Sequence, residues 1–250
     1  MKQVWNVLCA AMLALAAMSS AQASLYTSTY GTMLPGPSDC DDCYADPIAF
    51  AGSGQFINFF GTHYSDLYVG SNGYVTFGGG SSSYSTQPLD TQTVAPMIAG
   101  FYTDLDSRGS AASNVYVNTS TNGEIVVTWE NMGHYFMNYS GPATFQLVIR
   151  SDQAVIPAGQ GQIGFFYGNI GDHGTVSAGF GDGLSASNPG EVAFASFVDG
   201  TTLSNNAARF FDVNGGVPAL TPPSGVPEPG TLALLGLGLA GIAARRRNKA

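Results

Sequence analysis

Apolar and polar residues alternate in three short runs of the chain, at residues 125–129, 145–149 and 163–167. Successive side chains of a β-strand point to opposite faces, so this spacing places the apolar residues of each run on one face. The runs therefore predict strands that share a hydrophobic core. No long amphipathic helix is apparent between them.

Turn residues separate several of these runs. Asn72-Gly73 and Asn122-Gly123 each lie between two apolar segments, and both residue types tolerate the positive φ of a tight hairpin turn. The 33 glycines and 13 prolines also disfavour long helices. We therefore predict an all-β fold, a single β-sandwich-like domain of short antiparallel strands over residues 55–214.

The charge of the chain restricts its partners. Residues 24–225 contain sixteen acidic residues and three arginines, and the net charge of the whole chain is -9. Most non-specific affinity for nucleic acid comes from basic side chains that contact phosphates. Nucleic acid is therefore excluded as a predicted partner, and cations or neutral polymers are favoured.

The N-terminus has the features of an export signal. Lys2 precedes an apolar run at residues 7–17, and Ala21-Gln22-Ala23 is a small-residue pattern that signal peptidase accepts. We predict a signal helix over residues 1–23 that is removed on export. Residues 24–54 then form an irregular lead-in to the β domain.

The C-terminal segment has a tripartite order after a Pro/Gly linker at residues 215–225. Its parts are the motif Val226, Pro227, Glu228 and Pro229, an apolar stretch at residues 231–244, and a basic cluster of Arg245, Arg246 and Arg247. As a helix, the 14 apolar residues would span about 21 Å, less than a bilayer core of about 30 Å. We predict a short helix that anchors the chain only transiently in the inner membrane, with the arginines cytoplasmic and the domain periplasmic.

This order of motif, apolar helix and arginine cluster over residues 226–250 resembles the PEP-CTERM sorting signal of exported bacterial proteins. The resemblance implies recognition by an exosortase-type processing enzyme and cleavage near the Pro-Glu-Pro motif. It also implies that the mature protein reaches the cell surface or the extracellular matrix.

Several sequence blocks occur in a characteristic order in the centre of the chain. They lie at residues 67–77, 94–96, 101–108, 115–116, 127–133, 144–148 and 166–168. Together they are similar to the NIDO domain, an extracellular domain of matrix proteins. The resemblance implies a non-catalytic module for cell-matrix adhesion or for association with extracellular polysaccharide. One block departs from the family, because the usual Phe-Trp-Ala is here Phe101-Tyr102-Thr103.

Two aspartates in one of these blocks are candidate ligands of a metal ion. Asp104 and Asp106 are two residues apart, which on an extended segment places their carboxylates about 6.6 Å apart on one face. Carboxylate oxygens suit Ca²⁺. We predict no cofactor, and Ca²⁺ at this pair is the one exception that we consider. The alternatives are that the pair binds loop amides and Arg108, or that it serves a secreted carbohydrate-active hydrolase.

The remaining chemical candidates are few. Cys40 and Cys43 remain after export, and an oxidising compartment favours a local disulfide between them, with free thiols as the alternative. The three histidines, His63, His134 and His173, fit neither a zinc-protease motif nor a hydrolase motif. We therefore predict that the protein is not an enzyme. The alternatives to an adhesion module are a secreted carbohydrate-active hydrolase and a calcium-stabilised structural surface protein.

Overall fold

The computed structural model describes residues 25–91, 95–184, 193–204, 206–213 and 215–221. The strands in chain order are β1 (Thr32–Met33), β2 (Ile48–Ala49), β3 (Ile57–Phe59), β4 (Thr62–Tyr64), β5 (Asp66–Val69), β6 (Tyr74–Thr76), β7 (Met97–Tyr102), β8 (Leu105–Asp106), β9 (Asn114–Asn118), β10 (Glu124–His134), β11 (Asn138–Arg150), β12 (Ile163–Tyr167), β13 (Thr175–Gly181), β14 (Ala193–Asp199), β15 (Arg209–Asp212) and β16 (Ala219–Leu220). Two short 3-10 turns, Leu89–Thr91 and Gly200–Leu203, interrupt them. The predicted all-β fold is confirmed, whereas both predicted flanking helices lie outside the described residues.

The described strands form two antiparallel sheets and a small hairpin. The order β1-β9-β10-β11-β12-β15-β16, with β8 added at one end of β10, makes an eight-stranded sheet. The order β14-β13-β7-β6-β5-β2 makes a six-stranded sheet, and β3 pairs with β4. The long hairpin of β10 and β11 therefore lies in the middle of the larger sheet.

Aromatic side chains fill the space between the two sheets. Trp129 of β10 stacks on Phe145 of β11, with ring centroids 4.9 Å apart. The Trp129 indole donates a hydrogen bond to the Gly70 carbonyl at 2.9 Å, and the Tyr167 hydroxyl donates one to the Gly100 carbonyl at 2.7 Å. The apolar residues of the three alternating runs are buried in this core, as their spacing predicts.

The boundaries of the sandwich are wider than the sequence indicates. Within the lead-in at residues 24–54, β1 pairs with β9 and β2 pairs with β5. Within the linker at residues 215–225, β16 pairs with β15. A strand of two residues is too short to leave an alternating pattern in the sequence, so the sequence does not indicate these strands.

The Asn72-Gly73 turn between β5 and β6 is a tight turn, as predicted, and it is buried in the sandwich. Gly73 has a φ of +80°, and its carbonyl accepts hydrogen bonds from the Gly100 and Phe101 amides at 2.9 Å. A Cβ atom on Gly73 would lie 2.1 Å from the Phe101 carbonyl oxygen. Glycine is therefore required here both by the backbone conformation and by the close approach of β7.

Replacing Gly73 by alanine should destabilise the fold more than the same change at a glycine in open space. Gly54 is a matched control, because its φ is +70° and a Cβ atom added there would have no neighbour within 4 Å. Gly54→Ala should cost about 1 to 2 kcal/mol, the usual penalty for a left-handed alanine. Gly73→Ala should cost at least about 2 kcal/mol more, because the β6 and β7 backbones must also separate. Urea unfolding of both variants measures the difference, and equal losses would contradict this account.

Candidate functional site at the β10–β11 hairpin tip

Three large side chains are exposed in succession at the turn between β10 and β11. Tyr135, Phe136 and Met137, here called the hairpin tip, are 60%, 74% and 48% exposed. Phe136 and Met137 have φ values of +65° and +55°, a conformation that costs a residue with a side chain about 1 to 2 kcal/mol. Neither burial in the core nor backbone preference explains why large side chains occupy this turn. Exposed apolar groups of this kind mark interaction surfaces.

Hydrogen bonds from the preceding segment hold the hairpin tip in this conformation. The Tyr135 amide donates to the Asp104 carbonyl at 3.1 Å. The Met137 amide donates to Oδ2 of Asp106 at 2.9 Å. The backbone of the tip is therefore fixed against β8, while its side chains remain in solvent.

Asp106 has a structural role that uses both of its carboxylate oxygens. Arg108 donates from Nε to Oδ1 at 2.9 Å and from Nη2 to Oδ2 at 2.7 Å, and the Asp106 side chain is fully buried. Burial alone would raise the pKa of Asp106, but the hydrogen bonds from Arg108 and Met137 outweigh it and lower that pKa. Asp106 therefore binds Arg108 and loop amides, which is the alternative to a calcium-ligand pair with Asp104.

Asp104 lies instead beside two aspartates from a distant part of the chain. Carboxylate oxygens of Asp41, Asp42 and Asp104, here called the acidic cluster, all lie within 4.8 Å of one another. Oδ2 of Asp41 pairs with Nη2 of Arg108 at 2.6 Å, whereas its Oδ1 is buried without a hydrogen-bond partner. Of the residues that the structure describes, these three carboxylates are the group that could hold a divalent cation.

The loop that carries Asp41 and Asp42 is closed by a disulfide between Cys40 and Cys43. The Cys43 amide donates to Oγ of Ser71 at 3.0 Å, beside the buried turn. At the other end, the Cys40 amide donates to Oγ of Ser107 at 2.9 Å. The loop therefore bridges the β5–β6 turn and β8, and this position brings its two aspartates to the acidic cluster.

The carboxyl group of Asp104 is the most strongly perturbed acid of this region. Burial raises its pKa first, and the negative charges of Asp42, Asp41 and Asp106 raise it further, to about 6, although Arg108 partly opposes them. A neutral carboxyl near pH 6 can donate a proton, which is the property that a general acid requires. Its neighbours Asp41 and Asp42 are each already bound by a side chain, from Arg108 and Asn72 respectively.

The histidines of the domain do not join the acidic cluster in one network. Nε2 of His173 lies 3.1 Å from the Gly141 carbonyl oxygen, and Nε2 of His134 lies 2.8 Å from the side-chain nitrogen Nδ2 of Asn138. Burial and then the neighbouring His134 lower the pKa of His173 to about 4. His63 stacks on Phe56, with ring centroids 4.1 Å apart. The contacts of His134 and His173 therefore involve β10 and β11, whereas His63 lies in the β3–β4 pair.

The hairpin tip is the part of this region that sequence patterns do not identify. The strongest available signal is a run of three large residues, Tyr135 to Met137, at a chain reversal that contains no glycine. Asp41 and Asp42 are recognisable only as turn residues, because nothing local indicates that they meet Asp104. Among the described residues, no helix is long and apolar enough to cross a bilayer.

Comparisons with known proteins identify two regions of the chain. The family model described as NIDO related matches residues 17–217, and the model of the PEP-CTERM protein-sorting motif matches residues 225–247. Nidogen of Drosophila melanogaster is 28% identical over 124 residues, a match that covers 40% of this chain and 9% of that protein. The chain therefore corresponds to a small part of that relative. No solved structure matches the chain.

The raised pKa of Asp104 predicts a pH-dependent gain in stability when this residue is replaced by asparagine. Because the folded pKa of about 6 exceeds the unfolded value of about 4, the folded state binds this proton first as the pH falls. Asp104→Asn should therefore raise the melting temperature most at pH 7.5, and its advantage should shrink towards pH 5.

Thermal unfolding of the mature protein in EDTA measures this effect without a bound cation. Asp90→Asn, at an exposed aspartate of the Leu89–Thr91 turn, is the matched control and should show no such trend. A melting-temperature change for Asp104→Asn that is the same at both pH values would refute the assignment.

Proposed function

The chain belongs to the NIDO-related family and carries a PEP-CTERM sorting motif, and from this premise we propose that it is a non-catalytic module that associates with extracellular matrix polysaccharide. The sorting motif indicates export and surface sorting by an exosortase-type enzyme. The similarity of the chain to nidogen is consistent with an extracellular role for the NIDO-related domain.

The proposal includes the course of processing. Signal peptidase removes residues 1–23 during export, and the apolar segment at residues 231–244 then holds the chain in the inner membrane with the domain in the periplasm. Cleavage near Pro227-Glu228-Pro229 follows and releases the domain to the surface. As a helix this segment would be about 21 Å long, shorter than a bilayer core of about 30 Å, and that length suits a temporary attachment.

The observation that carries the proposal is the exposed hairpin tip. Tyr135 and Phe136 present ring surfaces that can pack on the apolar C–H faces of sugar rings. The neighbouring acidic cluster opposes the approach of anionic polymers and of anionic bilayers. A neutral or amino-bearing polysaccharide is the matrix component that fits both properties.

Two alternatives retain specific support. A hydrolase is favoured by the pKa of Asp104 near 6, with Asp41 or Asp42 rather than Asp106 as the second carboxylate. A calcium-stabilised surface protein is favoured by the three converging carboxylates of the acidic cluster. Polysaccharide cleavage that Asp104→Asn abolishes would establish the first, and a melting temperature raised by calcium and lowered by EDTA would establish the second.

Replacing Phe136 by asparagine should weaken association with matrix polysaccharide without damaging the fold. Asparagine tolerates positive φ better than phenylalanine, so the variant should be at least as stable as the natural protein. Losing one aromatic contact of about 1 kcal/mol should reduce retention about fivefold. The measurement is co-sedimentation of the mature protein with polysaccharide from its own host.

The matched control is Val155→Asn, which removes a side chain that is 91% exposed in the β11–β12 connection. This variant should be retained like the natural protein. Undiminished retention of Phe136→Asn would contradict the role of the hairpin tip, and so would a loss of the same size for Val155→Asn.

A further inference from the structure

A polar groove lies at the opposite end of β10 from the hairpin tip. Its volume is about 480 Å³, within the range of small-molecule sites. One wall is the N-terminal segment, residues 25–30, and the other is the β9–β10 turn with the start of β10. The side chains that matter are Tyr26, Thr27 and Thr29 on the first wall and Asn118, Thr121 and Glu124 on the second. We propose that this groove binds one or two uncharged sugar units of a polysaccharide.

The side chains that line the groove, taken with the buried Arg150, carry no net charge although the protein as a whole is strongly acidic. Glu124, 7% exposed, is the one charged residue among those that line it. Its Oε2 accepts a hydrogen bond from Nε of the fully buried Arg150 at 2.7 Å, so the two formal charges cancel. A charged ligand would lose hydration here without gaining an opposite charge, and an uncharged ligand is therefore selected.

The first wall is held in place before any ligand arrives. The Thr27 amide donates to Oε1 of Gln146 at 3.1 Å, and Nε2 of Gln146 donates to the Thr27 carbonyl at 2.9 Å. Nδ2 of Asn118 donates to the Thr29 carbonyl at 2.9 Å, which joins the two walls. Because the groove is already formed, no binding free energy is lost in ordering the protein chain when a ligand binds.

Several polar groups remain available to a ligand in this groove. The side-chain hydroxyls of Thr29, Ser120 and Thr121 form no hydrogen bond with other described residues. Among the described residues, Oε1 of Glu124 accepts a hydrogen bond only from the Tyr26 hydroxyl, at 3.4 Å, and that hydroxyl lies closer to Oε2, at 3.1 Å. The threonine and serine hydroxyls can both donate and accept hydrogen bonds, whereas the Glu124 carboxylate only accepts them. These groups can therefore pair with sugar hydroxyls, which also donate and accept.

The groove is independent of the proposed contact at the hairpin tip. The two lie at Glu124 and His134, the opposite ends of β10, about 33 Å apart along an extended strand. The inference goes beyond the proposed function, because it concerns a different surface and one ligand class. It would stand even if the hairpin tip bound nothing.

Titration of the mature protein with neutral hexasaccharides tests the inference. The probes are hexamers of glucose, mannose and galactose, with hexamers of guluronate and of glucosamine as charged comparators, and the readouts are calorimetry and ligand-observed NMR. At least one neutral hexamer should bind at millimolar concentration or below. The charged hexamers should bind at least about tenfold more weakly, a difference of about 1.4 kcal/mol.

Variants locate the binding site. Thr29→Val and Thr121→Val remove a hydroxyl at constant shape, and each should weaken binding of the neutral hexamer about threefold to tenfold. Thr62→Val, at an exposed threonine of β4 outside the groove, is the matched control and should change nothing. Binding by no neutral hexamer, or binding that Thr29→Val and Thr121→Val leave unchanged, would overturn the proposal.

The Phe136→Asn variant separates this inference from the proposed function. Binding of the neutral hexamer should be the same in this variant as in the natural protein. If Phe136→Asn weakens hexamer binding while the two threonine variants do not, the sugar binds the hairpin tip, and the groove proposal is wrong although the proposed function stands.

Discussion

The buried side chain of Asn72 is the interaction on which the candidate site depends. Its Oδ1 accepts a hydrogen bond from the Leu105 amide at 2.7 Å, and its Nδ2 donates to Oδ1 of Asp42 at 2.8 Å and to the Ser83 carbonyl at 3.3 Å. The side chain is completely inaccessible to solvent. Leaving a buried amide such as that of Leu105 unpaired costs about 1 to 3 kcal/mol. Asn72 thus joins the core turn to β8 and to the disulfide loop.

Hydrogen bonds connect Asn72, through β8, to the hairpin tip at the surface. The segment that Asn72 holds at Leu105 continues into Asp106, whose carboxylate fixes both Arg108 and the backbone of Met137. The exposed side chains of the hairpin tip are therefore presented by a chain of buried polar contacts rather than by a flexible loop. Preorganisation of this kind limits the entropy that is lost when a surface binds a partner. It also allows the strained backbone of the tip to persist.

The parts of the structure that the sequence can predict are those with a local physical signature. Alternation at residues 125–129 and 145–149 predicts the core face, because side chains two residues apart in a strand point to the same face. Asn72-Gly73 predicts a turn for the same local reason, but its burial depends on β7 and on the loop at residues 40–43. The sequence indicates Asp104 but not its partners, because a segment about sixty residues away supplies Asp41 and Asp42. The hairpin tip escapes prediction since Phe136 and Met137 violate the preference that identifies other turns.

Amide hydrogen exchange in an Asn72→Ala variant of the mature protein tests most directly whether this side chain positions the site. Exchange at the amides of Leu105, Cys40 and Cys43 should accelerate at least about tenfold, the equivalent of 1.4 kcal/mol, while the β10 amides remain protected. Asn122→Ala, in the other Asn-Gly turn, should leave those positions unchanged. Natural protection of the Leu105, Cys40 and Cys43 amides in Asn72→Ala would show that the site is held by other contacts and would contradict the account.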